Sequence, residues 1–198
     1  MLTNEKAVEM ILKDGTDLRV RRSEEMDKCA DHIVALLMGA GLLYEKRFYP
    51  SSVALSVAAM EEIGKTEMAS VCSMLDMGRK GARRDPLLDH KTKQVAAAAH
   101  TVGMDQRLID AIGEDSIERI YAMVHDGSLK NLRENALYWN SANGSLTVPE
   151  DVVDRSMARD ILLFSIETFE DRLVGLTHHI TDISYGTDDL FKRIASEC

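Results

Sequence analysis

The sequence predicts an all-α protein, an up-and-down helical bundle of three to four long helices with several short ones. Three observations carry that prediction. Aromatic residues make up only 5% of the 198 and prolines number 3, while Ala, Leu, Met and Ile are plentiful, a composition that favours helix over sheet. Apolar residues recur with the 3.6-residue period of amphipathic helices, and no stretch alternates convincingly as a strand. The length suits a single domain over 1–198 with its own core, with an N-terminal helix and linker in 1–22 and a small tail helix in 185–198.

Each element has a local reason. Asn4 to Lys13 places Ala7, Val8, Ile11 and Leu12 on one side, and Asp14-Gly15 stops it. Ser23 is the expected N-cap of a long helix reaching about Phe48, with a stripe of Cys29, Ile33, Leu36, Leu37, Ala40, Leu43 and Tyr44. Gly39 and Gly41 inside it predict close approach of another backbone. Tyr49-Pro50 should end it, and Ser51 or Ser52 should cap a third helix running to about Met77. Gly78 to Pro86 reads as a polar connection. Helices are then expected over Leu87 to His100, Asp105 to Ile112, Asp115 to Val124 and Leu129 to Tyr138, and a loop over Asn140 to Pro149. Pro149, with Glu150-Asp151 behind it, starts a final long helix to about Ser184, striped by Leu162, Ile166, Phe169, Leu173, Leu176, Ile180 and Ile183. A tail helix, Asp188 to Ala195, follows Gly186.

Bulk chemistry narrows the function. The net charge of −9 gives no overall attraction to nucleic acid or anionic membrane, though a local basic patch can still supply it. No signal-peptide core opens the chain, and no apolar run reaches the roughly 18 residues of a membrane span. Cys29, Cys72 and Cys198 form no framework and read as free thiols. A cytoplasmic protein with no membrane partner is expected. No Cys-x-x-Cys or His-Glu-x-x-His occurs, and His178-His179 point about 100° apart, so neither a metal site nor a cofactor is expected.

Three clusters carry chemistry. The apolar third helix abruptly bears Glu61, Glu62 and Lys65, with the lysine three and four residues on from the carboxylates and so on their side. Charges on so apolar a helix must be paired, lie at a polar seam or be functional. The second cluster runs from Arg79-Lys80 through Arg83-Arg84 to Asp89-His90-Lys91 and Lys93. The third is Lys130, Arg133 and Tyr138-Trp139. Each also has a plainer reading: salt bridge, solvated loop, packing anchor.

Taken in order, Cys29-Ala-Asp-His-Ile through Arg47, Ala58-Ala-Met-Glu61-Glu62-Ile-Gly64-Lys65, Asp-His90-Lys-x-Lys93 and Arg133-Glu-Asn-Ala-Leu137-Tyr138-Trp resemble the AbiV-type abortive-infection proteins of bacterial phage defence. The resemblance covers about residues 28–155. That group is similar to the HEPN superfamily, helical bundles that often dimerise and of which many cut RNA with an Arg-x(4–6)-His motif. In such a motif Arg neutralises the scissile phosphate and His moves the proton of the attacking 2′-hydroxyl. This chain departs from it: Arg133-x(4)-Tyr138 has Tyr where a nuclease would have His. Arg84…His90, Arg119…His125 and Arg172…His178 meet the spacing, of which chance alone gives roughly one, and only Arg84…His90 falls inside a family-like element.

The resemblance implies a HEPN-like homodimer acting in phage defence on RNA or translation. Glu62, His90, Arg133 and Tyr138 are the candidate catalytic residues, and Glu61, Lys65, Arg83, Arg84, Lys93 and Lys130 the candidate binding residues. RNA or a nucleotide, and a phage protein as activator, are the expected partners. The alternative is a non-catalytic module that recognises a phage protein or nucleotide.

Overall fold

The computed structural model describes residues 3–14, 16, 18–75, 85–98, 106–142 and 145–197. The protein is an all-α bundle, as expected. α1 (Asn4–Asp14), α2 (Ser23–Glu45) and α3 (Tyr49–Met74) are followed by a 3₁₀ turn at Pro86–Leu88. α4 (His90–Ala97), α5 (Gln106–Ile112), α6 (Glu114–Asp126) and α7 (Ser128–Leu137) come next. A hairpin of β1 (Asn140–Ala142) and β2 (Ser145–Thr147) then leads to α8 (Pro149–Val152), α9 (Arg155–Leu173) and α10 (His178–Ala195).

α3 lies at the centre, packed by α2, α9, α4 and α7. It is buried nearly all round, from Val53 and Val57 through Met60 and Ile63 to Met68 and Cys72, which explains why its pattern is uniformly apolar rather than striped. One continuous core joins Ile33, Leu37 and Tyr44 of α2 to Ile161, Phe164 and Phe169 of α9 and to Leu190 and Ile194 of α10. Ion pairs tie the long helices at the rim: Arg172 of α9 to Glu67 of α3, and Arg107 of α5 to Glu167 and Asp188.

Several boundaries differ from expectation for local reasons. Arg22, not Ser23, is the N-cap of α2, without a side-chain cap bond. Instead the Glu25 carboxylate accepts from the Arg21 N–H at 2.9 Å and pairs with Arg22. α2 stops at Glu45, before Phe48, because Arg47 turns to φ 65°. Phe48 N–H then reaches Leu43 C=O and Arg47 N–H reaches Tyr44 C=O, a Schellman closure in which Arg stands where glycine is usual. Tyr49-Pro50 accordingly begins α3 rather than ending α2, since proline is tolerated in a first turn. Ser52 does not cap; its hydroxyl donates to Ala40 C=O at 2.8 Å.

The expected helix from Pro149 to Ser184 is three helices. Asp154 caps α9 by accepting from Met157 N–H at 2.8 Å. Gly175, at φ 91°, and the Thr177 cap on Ile180 N–H reset the chain into α10. Leu176 of the expected stripe therefore falls in the turn and is exposed. Gly186 lies inside α10, so the expected tail helix is the second half of a longer one. The Asn140–Pro149 loop contains a two-stranded ladder pairing Asn140 with Thr147 and Ser141 with Leu146, too short to show alternation in sequence. Gly39 and Gly41 face side chains, Leu55 and Leu190, rather than another backbone. The backbone approach is at Gly64, where an added Cβ would lie 2.3 Å from Lys93 C=O and 2.9 Å from Ala97 N. Among the described residues no helix is long and apolar enough to cross a membrane.

Candidate functional site

Glu61 is the hub of a buried polar cluster at the junction of α3, α4 and α7. Its side chain is only 3% exposed. Glu61 Oε2 meets His90 Nδ1 at 2.6 Å, Arg133 Nη1 at 3.1 Å and Lys93 Nζ at 3.2 Å. Glu61 Oε1 accepts from Gln94 Nε2 at 2.9 Å. Three helices supply the set for identifiable reasons. α4 is started by Asp89, whose carboxylate accepts from Thr92 N–H and Thr92 Oγ1. The spacing of His90, Lys93 and Gln94, three and four residues apart, turns all three toward α3. Gly64, one turn beyond Glu61, lets the α4 backbone close on α3. α7 follows the left-handed Gly127 and brings Arg133 to the same carboxylate oxygen.

Two basic side chains, Lys93 and Arg133, thus meet one buried carboxylate, so basic groups outnumber acidic ones in the cluster. His90 is its most accessible member, with 38% of the side chain exposed, against 18% for Arg133 and 9% for Lys93. With Nδ1 committed to Glu61, Nε2 is the nitrogen left to exchange a proton with a ligand. Arg133 Nε and Gln94 Oε1 are buried without a protein hydrogen-bond partner, exceptions to the usual pairing of buried polar groups. Among the described residues no three of His, Cys, Asp and Glu gather as a metal ion would require.

The structure brings together four sequence-predicted residues: Glu61, His90, Lys93 and Arg133. Glu62 and Lys65 stand apart, paired with each other at 2.7 Å on a half-exposed face of α3. Lys130 makes a 3.7 Å surface pair with Glu134. Tyr138, the C-cap residue of α7, is exposed, as is Trp139. Arg83, Arg84 and the Arg79 to Arg84 run lie outside the described residues. Gln94 is not among the sequence-predicted residues; an amide side chain set directly before the apolar run Val95-Ala96-Ala97 is the signal that points to it.

This arrangement brings together in space an Arg and a His that do not stand at the motif spacing in the sequence. Arg133 Nη1 and His90 Nδ1 are 3.4 Å apart, delivered by different helices and aligned by one carboxylate. A family model of the HEPN group matches residues 23–167, from the first residue of α2 to Glu167 of α9, and so places the chain among HEPN-type helical domains. Within that group the match is to AbiV, and the chain belongs to the AbiV family. Every member of the Glu61 cluster falls inside the matched stretch. No curated protein and no solved structure matches the chain.

Proposed function

We propose that the protein is an abortive-infection factor of phage defence that acts on RNA through the Glu61 cluster. The carrying observation is the 2.6 Å contact of Glu61 Oε2 with His90 Nδ1, inside a cation-rich cluster whose histidine reaches solvent. Glu61 fixes the imidazole tautomer, and Arg133 and Lys93 counter phosphate charge. His90 Nε2 accepts the proton of a ribose 2′-hydroxyl, the 2′-oxygen attacks phosphorus, and the departing 5′-oxygen takes a proton from solvent. The product ends are a 2′,3′-cyclic phosphate and a 5′-hydroxyl. Tyr138, five residues beyond Arg133 and so about 140° round the α7 axis from it, takes no part in the proton-transfer step. A homodimer would place two such clusters about one cleft, and a phage protein is the proposed activator.

The test is incubation of stoichiometric protein with cellular RNA or tRNA. His90→Ala and Arg133→Ala should abolish cleavage, and the ends should be of the stated kind. Intact RNA, with the activator supplied by infected cells, refutes the catalytic reading.

One observation favours a second reading. Arg133 and Lys93 are largely buried and already engaged with Glu61, as members of a purely structural network would be. The protein would then be a binding module that recognises a phage protein or nucleotide through an exposed groove. On that reading His90→Ala lowers stability and leaves no specific loss of protection.

A further inference from the structure

A cavity of about 450 Å³ lies where the α2–α3 turn meets the start of α9 and the end of α10. Tyr44, Glu45, Arg47, Tyr49, Arg155 and Glu197 line it, so each lining side chain is charged or phenolic. Small-molecule sites of this size are usually walled mainly by apolar groups, and this one suits a strongly polar ligand instead. Tyr49 opens α3 twelve residues before Glu61, about 18 Å away at the helical rise, so the cavity is separate from the Glu61 cluster.

The groups on this wall are incompletely engaged. Arg47 holds a left-handed backbone, φ 65°, that glycine would take without cost, and among the described residues its guanidinium has no ion pair. Arg155 meets Glu197 at 3.4 Å and keeps 46% of its side chain exposed. The Tyr44 hydroxyl is buried without a hydrogen-bond partner, an exception to the usual pairing of such groups. Burial pushes the Tyr44 phenol up, and the neighbouring Arg155 offsets part of that rise. Glu45 is engaged with Arg193 through Oε1 and Glu197 with Arg155 through Oε2, which leaves the other oxygen of each to accept from a ligand. Among the described residues Arg47, Arg155 and Arg193 thus outnumber Glu45 and Glu197 here, in a chain of net charge −9.

We propose that this cavity is a binding site for a small sugar phosphate, a phosphomonoester borne on a hydroxyl-rich body. Two guanidiniums from different elements can grip the three terminal oxygens of a phosphomonoester, whereas a carboxylate is filled by a single guanidinium fork. A bare phosphate would leave most of the cavity empty. The remaining groups fit a sugar: Glu45 and Glu197 accept from its hydroxyls, and the phenols of Tyr44 and Tyr49 donate to its oxygens. The tilted Tyr44 and Tyr49 rings, 5.5 Å between centroids, close that side of the site. The proposal does not depend on the RNA reading given above.

Isothermal titration of the full-length protein with ribose 5-phosphate, inorganic phosphate and ribose tests it. Ribose 5-phosphate should bind more tightly than inorganic phosphate, and ribose should give no heat of binding. Arg47→Gly is the decisive variant, because it removes the guanidinium while installing the residue that this backbone favours. Its melting temperature should not fall, and its affinity for ribose 5-phosphate should drop about tenfold or more, the factor carried by hydrogen bonds to a charged group. Arg133→Ala, in the Glu61 cluster, should leave that affinity unchanged. Absence of ribose 5-phosphate binding overturns the proposal, as does undiminished binding by Arg47→Gly. Inorganic phosphate bound as tightly as ribose 5-phosphate, or ribose bound equally well, overturns the assignment to a sugar phosphate. Binding lost in Arg133→Ala and kept in Arg47→Gly assigns the ligand to the Glu61 cluster and equally overturns it.

Discussion

Replacing Gly64 by alanine separates two physical effects of opposite sign. Helix propensity alone says that Gly→Ala in a helix interior is stabilising by about 1 kcal/mol. Gly64 sits mid-way along α3, buried against α4, and the new Cβ would fall 2.3 Å from Lys93 C=O, 2.9 Å from Ala97 N and 3.1 Å from Ala97 Cβ. Two of these three neighbours are backbone atoms and cannot rotate away. To bring the shortest distance to 3.0 Å, below which real Cβ contacts essentially do not occur, α4 must retreat by about 0.7 Å. Overpacking of this kind typically destabilises by about 1–3 kcal/mol, enough to reverse the propensity gain. The same retreat draws His90, Lys93 and Gln94 away from Glu61, whose contact with His90 is 2.6 Å. Urea unfolding followed by circular dichroism should therefore show Gly64→Ala less stable than wild type, and the imidazole resonances of His90 should shift. Gly41→Ala is the control. Its nearest atoms belong to the Leu190 side chain, which can adjust, so the loss there should be smaller. A Gly64→Ala protein more stable than wild type would refute the close approach of α4 to α3.

Glu61→Gln leaves Lys93 and Arg133 without their carboxylate and should lower unfolding stability by about 3 kcal/mol, the lower end of the range for a broken buried pair. Glu62→Ala removes only a half-exposed pair and should change stability by less than about 1 kcal/mol, so similar urea midpoints for the two variants would disprove the distinction. The His179 imidazole lies 2.7 Å from Asp31, which raises its pKa above the ordinary value of 6.5. A raised pKa contributes stability that is fully present below the unfolded value and lost as pH climbs through the folded one. His179→Gln should accordingly lower the melting temperature slightly at about pH 5.5 and leave it unchanged at about pH 9; a loss at the higher pH alone would contradict the pairing. Burial pushes the Cys72 thiol up, so the native protein should resist a thiol reagent at Cys72 until it unfolds, while half-buried Cys29 labels first by peptide mass spectrometry.

The helical class was legible because composition and 3.6-residue periodicity act along the whole chain. Its breaks were not. The end of α2 depends on a left-handed Arg47, a conformation no residue type announced. The division of α9 from α10 rests on Gly175 and Thr177, which read as tolerable helix residues in an otherwise unbroken stripe. The Glu61-Glu62-Ile63-Gly64-Lys65 segment was legible as an anomaly, since charge on so apolar a helix needs a partner. Which glutamate turns inward was not legible, because Lys65 is within reach of both. The decision is made by α4 and α7, which offer His90, Lys93, Gln94 and Arg133 to one side of α3 only. Gly64 is the trace of that decision in the sequence, since its missing Cβ lies on the side that α4 covers.

A buried ion cluster is a poor way to gain stability, since well-packed apolar side chains of similar volume usually serve as well or better. At the Glu61 junction the apolar alternative was available: α3 is otherwise buried with Met60, Ile63 and Ala59 around it. The cluster is also imperfectly satisfied, with Arg133 Nε and Gln94 Oε1 unpartnered by protein. Those features weigh against a network selected for rigidity alone. They also account for the departure from the Arg-x(4–6)-His spacing. A motif confined to one helix fixes the two side chains through its own backbone. A pair assembled from α4 and α7 has no such tether and needs a third group to align it, and Glu61 makes contact with both.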